Sequence, residues 1–286
     1  MLAVVGTIPV EGFPLVAGRA QIKGDDLMIE KHAVPINRGT PALIASAIRT
    51  GQSRALQDPF CYLVGDIGRG TGSRHLYEYL TQDLARHDFD TVTFHYLQPD
   101  IEWQSRVMSA IKKLDPAPVL IADAGFMYGA KMAGLSENFA LFTPDLGELA
   151  FLADEEAPHP FYTRGFILHE ENHVPDLISH AYEHHNAARH LLVKGSQDYI
   201  ANREGVLSVV DAPVEEAMEA IGGTGDTLTG IVSALISAGM EVSKAARIAA
   251  KVNRVAGSYA KPTPATQVME IIRHIPEALE ICMRKT

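Results

Sequence analysis

The sequence predicts an α/β protein built on a mostly parallel sheet with helices on both faces and an antiparallel hairpin at one edge. Three observations carry this. Short apolar, β-branched runs recur along the 286 residues, segments with helical spacing separate them, and the alternation breaks only late in the chain, where two short strands face each other across a turn.

The strand candidates are "LAVVGT" at 2 to 7, "CYLVGD" at 61 to 66, "TVTFHYL" at 91 to 97, "PVLIAD" at 118 to 123, "FALFTPD" at 139 to 145 and "HLLVKG" at 190 to 195. Each is bounded by Gly, Pro or Asp and is short enough for a strand buried on both faces. Helical spacing covers roughly 40 to 50, 74 to 87, 101 to 114, 146 to 153 and 176 to 189. After Lys194, "QDYIANREGVLSVVDAP" predicts the hairpin, turning near Asn202 to Gly205. Three helices follow: "DTLTGIVSALISAGM", "EVSKAARIAAKVNRVAGSYAK" and "TQVMEIIRHIPEALEICMRK".

No Gly/Ser-rich or Pro-rich linker divides the chain, so a single domain over 1 to 286 is expected. A net charge of −10 excludes a nucleic-acid backbone partner, which would need clustered Lys and Arg. Cys61 and Cys282 are the only cysteines, too few for a disulfide framework. The apolar N-terminus lacks a basic region and is broken by Pro9, Glu11 and Pro14. With no run of about 20 apolar residues, no membrane span is expected. The expected location is the cytoplasm and the expected partner a small molecule.

Ligands of open α/β sheets settle beyond the carboxyl ends of the strands. Asp66, Asp123, Asp145 with Glu148, and Lys194 all stand at such ends. The most unusual stretch is "IGGTGDTLTG" at 221 to 230, whose glycines precede the helical spacing of Leu228, Ile231, Val232, Leu235 and Ile236. Free N–H groups at a helix start hold anions, and glycine lets a phosphate approach. Asp226 beside them is either a helix cap or a proton acceptor at an anion hole. No Gly-Lys-Ser/Thr follows, so the loop is not a P-loop.

"GGTGDTLTG" before a small, apolar helix resembles the anion-hole motif of the ribokinase-like superfamily, and most resembles its ADP/ATP-dependent NAD(P)H-hydrate dehydratase branch. "FTPDLGELAFL" is similar to that family's Thr-Pro-x-x-Gly-Glu segment, "LLVKGSQDYIA" to its Lys-Gly strand and hairpin, and "VLIADAGFM" to its strand ending in Asp-Ala-Asp. The likeness spans roughly 115 to 260. It implies a three-layer αβα fold, ATP or ADP as co-substrate, Mg²⁺, and dehydration of hydrated NAD(P)H through phosphorylation of the ring hydroxyl.

By the same resemblance Asp226 is the base, and the N–H groups of Gly223, Thr224 and Gly225 form the anion hole. Lys194, Gly195, Gly222 and Thr143 would adjoin the nucleotide, while Glu148 and Asp145 would organise Mg²⁺ through water. Asp123, Asp66 and Arg69 fall on the substrate side, the last two in "GDIGRGTGS" at 65 to 73, whose other reading is a strand-to-helix turn with Ser73 as cap. Relatives of this kind assemble, so a homo-oligomer is expected. The chain departs from the branch in two places: Asp145 and Leu146 stand for its His-Pro, and Gly125 for its second aspartate. Two alternatives stay open, a small-molecule kinase of the same fold and a non-catalytic nucleotide-binding homologue. "HAYEH" at 180 to 184 matches an inverted zinc-peptidase pattern, but among 12 histidines it reads as a solvated helix face.

Overall fold

A computed structural model describes residues 1–157 and 173–284. Eleven strands form one sheet: β1 (Leu2–Ile8), β2 (Val16–Lys23), β3 (Asp26–Ile29), β4 (His32–Pro35), β5 (Phe60–Gly65), β6 (Thr91–His95), β7 (Val119–Ala122), β8 (Leu141–Phe142), β9 (His190–Val193), β10 (Asp198–Asn202) and β11 (Gly205–Val210). Their order is β11-β10-β9-β8-β7-β6-β1-β5-β2-β3-β4. The six central strands, β9 to β5 in that order, are parallel. Antiparallel pairs extend both edges.

The helices are α1 (Thr40–Gln52), α2 (Thr71–Asp83), α3 (Ile101–Ile111), α4 (Ala124–Met132), α5 (Leu146–Ala153), α6 (Val174–Glu183), α7 (Thr224–Ser237), α8 (Val242–Ala260), α9 (Val268–Ile272) and α10 (Ile275–Arg284). Alternation along β1 explains why helices cover both faces. Leu2, Val4 and Ile8 pack with α1 and α7 to α10, whereas Ala3 and Val5 pack with α2 to α6. A strand buried on both sides needs a helical layer on each, and the fold is a three-layer αβα sandwich.

The parallel strands and the hairpin fall where sequence spacing places them. The antiparallel β2–β3–β4 extension does not: β3 and β4, reached through turns at Gly24 and Glu30, both at positive φ, have four residues each, too few to show a period. The eight residues of β2, "VAGRAQIK", include Gly18, Arg19 and Gln21 and form no apolar run. Helix α4 was also unread, hidden inside a continuous apolar run. The expected final helix is two, since Pro276 has no N–H to offer Ile272 and the chain breaks between α9 and α10. Helix α6 stops at Glu183 rather than at 189. No helix among the described residues is long and apolar enough to cross a membrane.

One glycine of the conspicuous motif belongs to this packing. A Cβ on Gly230 would lie 2.0 Å from Ser46 Oγ and 2.1 Å from the Leu43 carbonyl oxygen, so the crossing of α7 on α1 requires glycine there. That crossing brings the start of α1 to the start of α7.

Candidate active site

Because β6 to β9 are parallel neighbours, their carboxyl ends share one rim, and each contributes a polar side chain there. His95 ends β6, Asp123 follows β7, Asp145 and Glu148 follow β8, and Lys194 follows β9. The start of α7 faces them. Together with Tyr96, Gly223, Gly225 and Asp226 they line a cavity of about 180 Å³. A larger groove of about 880 Å³ lies between α2 and α3, lined by Glu78, Trp103 and Arg106, and holds none of the converging residues.

Helix α7 begins without a side-chain cap. Gly223 occupies the N-cap at φ 102°, a left-handed conformation that costs other residues strain. A Cβ there would also meet Arg38 Cα and Val268 Cγ2, each at 3.1 Å. The first-turn N–H groups are therefore left to the cavity by helix geometry. Lys194 runs past this turn, its Nζ 3.8 Å from where a Cβ on Gly225 would stand, so a cation adjoins the helix start.

Asp226, 8% exposed, is not the cap. Its Oδ2 accepts the Gly39 N–H at 2.6 Å and its Oδ1 lies 3.1 Å from His95 Nε2. Burial alone would raise this carboxyl, but His95, Lys194 and the Gly39 amide outweigh it and hold Asp226 below the usual carboxylate range. His95 Nδ1 lies 2.9 Å from Thr40 Oγ1, itself 2.9 Å from the Thr7 carbonyl. Thr40 has one proton. An ionised carboxylate can only accept, so the His95 nitrogen facing Asp226 carries a hydrogen and donates it, whichever partner takes the Thr40 proton.

Asp123 is 1% exposed and satisfied from several sides. Both oxygens lie 2.9 Å from Lys194 Nζ, Oδ2 accepts the Thr229 hydroxyl at 2.7 Å, and Oδ1 accepts the Ala124 N–H at 2.9 Å. Burial would lower the Lys194 ammonium, yet Asp123, Glu148 and Asp226 around it keep it above the ordinary lysine range. Glu148 moves the other way: burial pushes its carboxyl up, opposed by Lys194 and reinforced by Asp123 and Asp145. Glu148 also forms a capping box with Asp145, both bonds 2.8 Å, and accepts the Tyr128 hydroxyl at 2.9 Å.

Several sequence-predicted residues stand elsewhere or do other work. Thr143 is fully buried, its hydroxyl 3.0 Å from that of Thr229, and it does not line the cavity. Asp123 is a counter-ion for Lys194 rather than an open substrate contact. Asp66 accepts the N–H groups of Gly68, Arg69, Gly70 and Ser73 and the Ser73 hydroxyl. It organises its own loop, taking up four of its backbone amides. Gly70, not Ser73, caps α2, and Arg69 turns outward to Glu11 at 3.2 Å. Gly195 has its N–H on Asp198 and its carbonyl on Arg254, which leaves an exposed turn. Gly222 is exposed and its missing side chain would meet Arg38. Thr224 turns its hydroxyl back to the carbonyls of Met218 and Ile221, each at 3.3 Å, so only its backbone serves the helix start.

Sequence reading missed His95, Tyr96 and the Gly39–Thr40 pair. For His95 the signal was present, a polar side chain closing an apolar strand. Tyr96 sits at the cavity mouth, 46% exposed, at φ 54°, with its carbonyl accepting the Thr7 hydroxyl at 2.7 Å. Nothing in one sequence announces that conformation. In "HAYEH", His184 lies 3.8 Å from Glu155 and its ring centroid 6.4 Å from that of His180.

Comparison with known proteins places this geometry. An uncharacterized protein of Methanocaldococcus jannaschii is 43% identical over 239 residues, which are 83% of this chain and 98% of that protein. The bifunctional NAD(P)H-hydrate repair enzyme Nnr of Hyperthermus butylicus is 42% identical over 99 residues, 32% of this chain and only 18% of that enzyme. A ribokinase-like superfamily protein from Enterococcus faecalis superposes with a TM-score of 0.58 at 16% identity, covering 98% of this chain and 87% of its own, a likeness of fold. A family model described as NAD(P)H-hydrate dehydratase matches residues 98–277, a span that holds Asp123, Lys194 and the whole glycine motif. The chain therefore belongs to the NAD(P)H-hydrate dehydratase family and carries its ribokinase-like fold.

Proposed function

We propose that the protein restores NADH or NADPH from the hydrated ring by nucleotide-driven dehydration. One observation carries the reading: a buried, ionised carboxylate, Asp226, converges with an uncapped, glycine-started helix and with Lys194 in one cavity. An anion hole beside a proton acceptor suits phosphoryl transfer to a hydroxyl, where positioning and charge stabilisation do most of the catalysis.

The ring hydroxyl oxygen attacks the terminal phosphorus of ATP or ADP, and the bond from that phosphorus to the leaving nucleotide breaks. Asp226 accepts the hydroxyl proton. The N–H groups of the first turn of α7, from Gly223 to Gly225, and the Lys194 ammonium oppose the charge on the transferred group. Phosphate then leaves with the carbon–oxygen electron pair, and the neighbouring ring carbon gives its proton to the departing phosphate or to solvent, which restores the double bond. Tyr96 offers a flat, half-exposed face at the cavity mouth, the kind of surface on which a nicotinamide ring lies.

Two carboxylate sets face the cavity where a magnesium ion would sit. His95, Asp123 and Asp226 bring three ligand atoms within 4.8 Å, but Lys194 already occupies both Asp123 oxygens, so a cation there is redundant. Glu148 and Asp145 fit better, as oxygen donors on the cavity wall whose capping bonds leave lone pairs for bound water. Mg²⁺ held there would neutralise phosphate charge.

The deciding assay is recovery of NADH absorbance from hydrated NADH with Mg²⁺ and either ATP or ADP. Nucleotide-dependent recovery supports the proposal. Nucleotide binding without recovery transfers it to a kinase acting on another hydroxyl, a reading that the Asp145–Leu146 pair favours because it replaces the His-Pro of the dehydratases.

A further inference from the structure

His95 has no exposed surface, an expensive place for an imidazole unless both nitrogens are satisfied. Both are, by groups from a different part of the chain: Nδ1 meets Thr40 at the start of α1 and Nε2 meets Asp226 in the first turn of α7. The ring thus ties the end of β6 to both helix starts. Gly39, one residue before Thr40, supplies the second donor to Asp226. Each carboxylate oxygen accordingly accepts one fixed hydrogen bond, from directions set by two different elements, and keeps a lone pair free.

The charged and titratable groups facing Asp226 are His95 and Tyr96 at the end of β6, Asp123 between β7 and α4, Asp145 and Glu148 at the start of α5, and Lys194 after β9. Of these, His95 alone touches an Asp226 oxygen at hydrogen-bond distance. Asp123 Oδ2 is 3.8 Å from the same His95 nitrogen, so a second carboxylate favours the proton staying on the ring.

We propose that His95 is a positioning residue for the transfer step, its Nε2–H fixing the plane of the Asp226 carboxylate so that a free lone pair meets the incoming hydroxyl. This rests on the reading of Asp226 as proton acceptor. The hydroxyl proton passes to Asp226 and the His95 proton remains on Nε2 throughout, so His95 neither gains nor loses a proton. Glutamine can present an N–H at similar reach, whereas leucine fills the space and donates nothing.

The test compares wild type, His95→Gln and His95→Leu by titrating the Asp226 carboxyl with carbon NMR, which needs no turnover, and by the pH profile of kcat/KM for hydrated NADH. In His95→Leu the Asp226 midpoint is expected to rise by about one pH unit, the worth of a hydrogen bond to a charged group. The acid limb of the profile should move with it, and kcat should fall about tenfold to a hundredfold at nearly constant KM. His95→Gln should restore most of both. An Asp226 midpoint indifferent to His95→Leu overturns the inference and leaves His95 a space-filling residue. If the leucine variant does not fold, wild type decides: the nitrogen NMR signal of His95 Nε2 must inflect at the Asp226 midpoint while keeping its proton, and its failure to inflect is equally fatal. A midpoint that follows His95 in a protein without hydrated-NADH turnover supports the positioning and removes only the dehydratase reading.

Discussion

Replacing Asp226 by asparagine should remove turnover while hardly touching the fold, and the hydrogen bonds around the carboxylate show why. Asp226 accepts from two donors, Gly39 N–H at 2.6 Å and His95 Nε2 at 3.1 Å. Asparagine has one oxygen and one NH₂, so a rigid pair of donors would leave two N–H groups facing each other at a cost of about 1–3 kcal/mol. The histidine is not rigid in this sense. With a proton on Nδ1, donated to Thr40, and the Thr40 proton directed to the Thr7 carbonyl 2.9 Å away, Nε2 becomes an acceptor for the new NH₂. Every polar atom is again satisfied, and the expected loss of stability falls below about 1 kcal/mol, or roughly 2–4 °C in Tm. Proton acceptance is lost entirely, which for a general base is about 10²–10⁴ in rate. Nucleotide affinity should stay within a few-fold, since the α7 amides are unchanged. NADH recovery from the hydrate, thermal melting and nucleotide titration on the same preparations test all three. A variant with more than about a tenth of wild-type activity would refute the role of Asp226 as base.

Glycines of one motif should separate by function. Gly223→Ala forces a Cβ onto a backbone at φ 102° and into contacts at 3.1 Å, and should cost about 1–3 kcal/mol in chemical denaturation. Gly225→Ala meets only the Lys194 chain at 3.6 Å and beyond, so it should fold normally and weaken nucleotide binding; equal stability losses would contradict the assignment. Lys194→Met strands Asp123, 1% exposed, and should cost about 3–5 kcal/mol, most of it recovered by adding Asp123→Asn; a double variant no better than the single would show that the pair is not the cause. For Glu148, whose folded carboxyl titrates above its unfolded value, wild type holds its full stability below 4.5 and loses the Glu148 contribution as pH rises towards about 8. Glu148→Gln should therefore gain on wild type across that window in denaturation at stepped pH, and a pH-independent difference would remove the basis for the shift.

Elements differ in how far their own residues reveal them. The strands β1, β5, β7 and β9 are mostly apolar runs because they are buried on both faces, and β6 adds β-branched threonines to its apolar residues; such runs need no partner to be recognised. The hairpin β10–β11 announced itself through the turn at Asn202 to Gly205. The β2–β4 extension stayed hidden because β3 and β4, at four residues each, hold too few positions to separate an alternating period from chance, and β2 mixes polar and small residues along its length. Within the glycine motif, spacing located the start of α7 but could not divide its glycines. Gly223 is set by backbone conformation together with the nearby Arg38, Gly225 by access to the cavity and Gly230 by the crossing of α1, and the Arg38 contact at Gly223 and those at Gly230 come from residues more than a hundred positions away.

The sequence by itself determined the α/β alternation, the helix start at the glycines and the presence of Asp226, Glu148 and Lys194 at element ends, since each follows from local periodicity and local backbone chemistry. Only the tertiary structure decided which polar residues meet. Parallel pairing of β6 to β9 places residues 95, 123, 145 and 194 on one rim although they are scattered over a hundred positions of the chain. It also turned Asp66 into the organiser of its own loop, kept Thr143 out of the cavity lining, and set His95 against Asp226 across 131 residues. Hydrogen-bond partnership and burial are properties of the folded neighbourhood, and a carboxylate's role is fixed by the donors that reach it.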